Sequence, residues 1–136
     1  MNARMLRSTR ARSVVWVLAA VVASLAVWLV AAMLDIALTV SFGPGLDQTV
    51  TPVAIAIVAL VAGLAAWGTL TLVTRFGVAG RRWWIAVALA VLALSLSGPL
   101  AFGVGGDVKA ALLAMHLVAG GTLIAGLTAA RSNRAR

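Results

Sequence analysis

Four long apolar runs decide what this chain can fold into. They are 14-VVWVLAAVVASLAVWLVAAML-34, Pro52 to Thr74, Trp83 to about Phe102, and Ala110 to Ala130. A helix rises 1.5 Å per residue, so about 20 residues cross about 30 Å of hydrocarbon. Each run is long enough to do so. Membrane-spanning strands alternate apolar with polar residues over about ten positions, and these runs do not alternate. The chain of 136 residues is 63% hydrophobic and 10% charged, too few charges to coat a soluble domain. The expected fold class is an all-α membrane protein. Residues 1–136 form a single integral membrane domain, with spans at about 14–34, 52–74, 83–102 and 110–130.

The connections are short. The first contains 42-FGPGLDQT-49, the second is 75-RFGVAGRR-82 and the third is 103-GVGGDVK-109. Short loops make successive spans antiparallel neighbours, so an up-down-up-down four-helix bundle is expected. The basic residues then fall on one face. Arg4, Arg7, Arg10 and Arg12 precede the first span; Arg75, Arg81 and Arg82 lie between the second and third; Arg131, Arg134 and Arg136 follow the fourth. Lys109 stands apart, with Asp47 and Asp107. The positive-inside rule puts both termini in the cytoplasm of a multi-pass plasma-membrane protein. Trp16, Trp83 and Trp84 fall where an interfacial aromatic belt would sit. A signal peptide is the rival reading of the N-terminus. The first apolar run exceeds the usual 7–15 residues or so of such a peptide, so an uncleaved anchor is expected. The net charge of +8 is carried mainly by arginines beside the spans. It points to topology and anionic lipid rather than nucleic acid.

Polar residues at membrane depth are candidates for function. His116, the single histidine, lies in the fourth run, about 9 Å below the boundary expected at Ala110. Ala119 and Gly120 share its helical face and would let another helix approach closely. Pro99 lacks an N–H, which predicts a kink and leaves the Ser95 carbonyl without its helical donor. Ser95 and His116 are equidistant from the turn at Gly105 and Gly106, so they are expected at similar depth. The simpler expectation is a hydrogen bond between the third and fourth helices. Ser97 lies on the opposite helical face from Ser95. The sharper alternative is an outward-facing polar pocket of His116, Ser95 and Asp35. A short helical extension through 36-IALTV-40 would instead leave Asp35 near the surface, in water. Ala59, Gly63, Gly120 and Gly121 are expected to mark close helix packing, as are Gly68 and Gly126. Trp28 and Trp67, inside spans, are expected to fill packing space.

Several chemistries lack their residues. There are no cysteines, hence no thiolate metal site, disulfide or cysteine nucleophile. One histidine cannot give a bis-histidine haem, and no His/Asp/Glu group has metal-ligand spacing. No glycine loop has the phosphate-cradling pattern. Small four-span drug exporters carry a glutamate in their first span; this chain has none, so that resemblance stops at size and helix count. No cofactor or metal is expected, and no catalytic set.

An arginine-flanked first span, 67-WGTLTLVTR-75, 94-LSLSGPL-100 and 115-MHLVAGGTLIAGL-127 together resemble a family of small actinobacterial four-helix membrane proteins of unknown function. The resemblance covers nearly the whole chain. It implies the four-helix fold, assigns no activity, and places Ser95, Pro99 and His116 in the family pattern. The expected role is a non-enzymatic structural or accessory component of the cell envelope. Its expected partners are the lipid bilayer and either a second copy or another membrane protein. The alternative is a small transporter or ligand-binding bundle with a polar pocket around His116 in its outer half. A membrane enzyme with His116 as base ranks last, because only Ser95, Ser97 or Asp35 could assist it.

Overall fold

The computed structural model describes residues 3–73, 75 and 80–132. Arg134 and Arg136, expected on the basic face, lie outside them, as does Thr74. Helix α1 runs Ala3–Met33, strands β1 and β2 are Thr39–Ser41 and Asp47–Thr49, and α2 is Pro52–Val73. Helices α3 and α4 are Gly80–Ser95 and Ser97–Phe102, and α5 is Gly106–Ser132. Among the described residues, four helical stretches are long and apolar enough to cross a membrane: Ala11–Met33, Pro52–Val73, Arg82–Phe102 and Gly106–Ala130. The fourth begins earlier than Ala110, because helix already forms at Gly106. His116 therefore lies about 15 Å along α5 from its start.

These helices are apolar on every side. Val22, Val61 and Leu94 are 65%, 60% and 72% exposed, as side chains facing hydrocarbon would be. Their ends carry specific caps. Thr51 precedes α2, and its hydroxyl accepts the Ala54 N–H at 3.2 Å, with Pro52 in the first helical position. Helix α1 ends in a Schellman motif. The Ile36 N–H donates to the Ala31 carbonyl at 2.9 Å, and the Asp35 N–H to that of Ala32 at 3.2 Å. Asp35 takes the left-handed conformation, φ 54°, and Ile36 packs into the cluster that holds Ala31. The expected helical extension beyond Asp35 is replaced by this cap and by strand β1.

Strands β1 and β2 pair antiparallel, Val40 opposite Gln48, to form a hairpin. Its loop needs Gly43 and Gly45, with φ 141° and 74°. The hairpin is tied to the start of α5. The Val104 N–H donates to the Thr39 carbonyl at 3.1 Å, and the Phe42 and Phe102 rings lie 5.0 Å apart. Between α3 and α4 the helix breaks at Leu96. The Leu96 N–H is shared between the carbonyls of Leu92 and Ala93, at 3.2 and 3.3 Å. The break lies three residues before Pro99, whose ring crowds the preceding turn and which has no N–H for Ser95.

Two packed clusters hold the helices together. One joins Val17, Ala20, Leu70, Trp84, Leu123 and Leu127; Trp67 packs against it. The other joins Ala31, Leu38, Ile55, Val108, Leu112 and Met115, with Trp28 beside it. Glycines set three of the closest contacts. A Cβ on Gly63 would meet Val17 Cγ1 at 2.6 Å, one on Gly120 would meet Leu92 Cδ1 at 2.5 Å, and one on Gly126 would overlap the Trp16 ring. Close backbone approach of this kind gives the van der Waals contact on which helix association in lipid depends. Gly121 and Gly68 differ from the packing expected of them: nothing lies within 4 Å of their Cβ positions. Trp84 departs from the expected belt. It is 2% exposed, whereas Trp83 beside it is 66% exposed, because adjacent helical positions point about 100° apart.

Candidate functional site

Helix α1 packs extensively against α5 and α2, whereas α2 and α3 touch only sparsely. In the most apolar stretch of each span, 6% of residues are buried for Arg82–Phe102, against 22%, 22% and 28% for the others. The third span thus stands partly off the bundle. A cavity of about 690 Å³ lies behind it, bounded by α2, α3, α4 and α5, with Ser24 of α1 among its lining. We call it the slot. On α2 its wall carries Ala54, Ala59, Ala62, Ala65 and Ala66, side chains too short to fill the space towards α3. Opposite stand Val87, Ala88 and Val91. Val40, Phe42 and Val50, around the hairpin, line one end, and Trp84 and Leu123 line the other. Val58 and Val91 line the slot yet are 66% and 59% exposed, so it opens outward between α2 and α3.

Its polar side chains are mostly committed to their own helices. Ser24 Oγ donates to the Ala20 carbonyl at 2.9 Å, Thr69 Oγ1 to that of Ala65 at 2.9 Å, and Ser95 Oγ to that of Leu92 at 2.7 Å. Hydroxyls in apolar helices take this local route because no water competes for them. His116 does the same through Nδ1, 2.8 Å from the Leu112 carbonyl. A carbonyl only accepts, so Nδ1 carries the proton. In the uncharged ring, Nε2 then holds a lone pair. Trp84 is the exception. Its Nε1–H is buried with no hydrogen-bond partner among the described residues.

Of the sequence candidates, Ser95, His116, Pro99, Ala59 and Gly120 line the slot, and Asp35 does not. Asp35 is exposed in the cap of α1, so it adds no carboxylate to the slot. The expected bond between His116 and Ser95 is replaced by two local ones, to Leu112 and Leu92. A carbonyl one turn back in the same helix is reached without fixing two helices relative to each other. Ser97 is exposed and bonds back to Leu94 at 2.6 Å. Sequence reasoning missed Ser24 and Trp84. Ser24 had a signal, since it is the one hydroxyl residue in the first apolar run. Trp84 had none, because next to Arg82 and Trp83 it reads as interfacial.

A family model described as a family of unknown function (DUF6069) matches residues 4–133. No curated protein and no solved structure matches the chain.

Proposed function

The chain belongs to this family, and we propose that it is a non-enzymatic, multi-pass protein whose slot holds a lipid-soluble molecule. The observation that carries this reading is the slot itself. At about 690 Å³ it falls within the roughly 300–1,000 Å³ of small-molecule sites, and its walls are almost wholly apolar. Its mouth lies between α2 and α3, where a span would face lipid, so the bilayer is the route of entry. His116 Nε2 offers a hydroxyl-bearing ligand one acceptor within an apolar wall. No carboxylate lines the slot beside the imidazole, which speaks for binding rather than acid–base catalysis.

In this reading the spans run up-down-up-down in the plasma membrane, with the arginine-rich ends cytoplasmic. An actinobacterial source fits a chain rich in Ala, Val and Arg and poor in Lys. A second reading, an accessory component of the envelope bound to a second copy or another membrane protein, draws on the sparsely packed third span.

A diazirine-bearing fatty acid, photolysed with the protein in nanodiscs, tests the slot. Labelling should concentrate on slot residues such as Val58 and Val91, and should fall in Ala59→Phe, which fills the space. Labelling spread evenly onto Val22 and Leu94, and unchanged in Ala59→Phe, refutes ligand binding. For orientation, a reporter fused after Arg136 should work only if it is a cytoplasmic one.

A further inference from the structure

The side chains of the slot offer acceptors and no free donor. A hydroxyl group has one hydrogen to give. Those of Ser24, Thr69 and Ser95 already go to the carbonyls of Ala20, Ala65 and Leu92. The Trp84 Nε1–H has almost no accessible surface to present. Among the described residues, no charged side chain lines the slot. His116 Nε2 differs from all of these. It makes no hydrogen bond among the described residues, yet it keeps accessible surface, unlike Trp84 Nε1 and Thr128 Oγ1. Nδ1 is held against the Leu112 carbonyl of its own helix. The two ring nitrogens point to opposite sides of the imidazole, so Nε2 is turned away from the α5 backbone. The face it looks out from belongs to the slot. Leu112, Ala119, Gly120 and Leu123 share that face and line the slot, and Gly120 lies against Leu92 of α3.

An acceptor-only wall selects its ligand by hydrogen-bond type. An ester, a ketone or a carboxylate brings oxygens that find no donor here, and a charged head finds no counter-charge. A hydroxyl brings one hydrogen, which Nε2 can accept. We propose that the ligand of the slot is a lipid alcohol. Its O–H donates to His116 Nε2, and its apolar body lies along the alanines of α2. The inference rests on the slot taking lipid-soluble molecules, and it names their class. A fatty acid enters only with its carboxyl protonated and leaves its carbonyl unpaired, so it uses the same nitrogen and binds more weakly. The α5 wall runs on from His116 to Ile124, about 12 Å along the helix. An extended chain advances roughly 1.2 Å per bond, so about ten bonds fit beyond the hydroxyl.

The test sets decanol against its methyl ether and against methyl decanoate, neither of which has an O–H. Each competes in nanodiscs with the diazirine-bearing fatty acid for labelling of Val58 and Val91. At equal mole fraction in the bilayer, decanol should compete about three- to tenfold more strongly than either, the worth of one hydrogen bond. In His116→Leu the three should compete alike. The chain has a single histidine, so nitrogen-15 NMR reads the contact directly. In wild type the Nε2 resonance should move upfield with decanol and stay in place with the ether. That readout decides the matter should His116→Leu fail to fold. Equal competition by the three probes in wild type, or an Nε2 resonance that decanol leaves unmoved, overturns the proposal. So does a decanol preference that survives in folded His116→Leu. Fatty-acid labelling confined to the slot and lost in Ala59→Phe, with decanol and its ether competing equally, would leave the binding reading standing and remove this one.

Discussion

Replacing Gly126 with alanine should destabilise the protein, although alanine is the better helix former. Gly126 lies in α5 under the Trp16 ring of α1, and an added Cβ would overlap three atoms of that ring. The ring or the helix must therefore move, at the interface between α1 and α5, which is among the most extensive in the fold. Overpacking of this kind costs about 1–3 kcal/mol. Alanine recovers about 0.5–1 kcal/mol of helix propensity. The net loss should be about 1–2 kcal/mol. Gly121 is the internal control, five residues earlier in α5 with nothing within 4 Å of its Cβ position. Gly121→Ala should gain about 0.5–1 kcal/mol. Reversible unfolding in mixed micelles, followed by circular dichroism as the denaturing detergent is raised, measures both. In a Trp16→Ala background the Gly126→Ala penalty should vanish, and the double-mutant cycle isolates the contact. Equal shifts of the same sign for Gly126→Ala and Gly121→Ala would refute the reasoning.

Asp35 should prove a conformational residue. Asp35→Gly should keep or raise stability, while Asp35→Val should cost about 1–2 kcal/mol in the same unfolding assay; equal losses in both would mean that the carboxylate itself is used. Thr128 Oγ1 is buried without a partner among the described residues. Thr128→Val should therefore stabilise by about 1 kcal/mol, and a measured loss would reveal a bond to that hydroxyl. Pro99→Ala gives the Ser95 carbonyl an amide again. Helices α3 and α4 should then join, with slower hydrogen exchange at Leu96 and Leu100; unchanged exchange would place the cause of the break elsewhere.

Hydropathy belongs to each segment separately, so four membrane-length helices are legible in the composition of 14–34, 52–74, 83–102 and 110–130. The punctuation is local as well. Pro52 at a helix start and Pro99 near a helix break act through their own missing N–H. The side each helix presents to its neighbours is another matter. A helix apolar all round carries no amphipathic stripe to set its rotation. Only packing decides that Gly126 meets Trp16 while Gly121 faces outward, and that Trp84 is buried while Trp83 is not. The partners of the polar groups were hidden for a related reason. In lipid a hydroxyl or imidazole gains as much from a carbonyl one turn back as from a second helix, and Ser95 and His116 both take the nearer one. Sequence alone could place His116 at membrane depth. The slot it lines exists because alanines on α2 face valines on α3 across a gap their side chains cannot fill, and that is a property of the assembled helices.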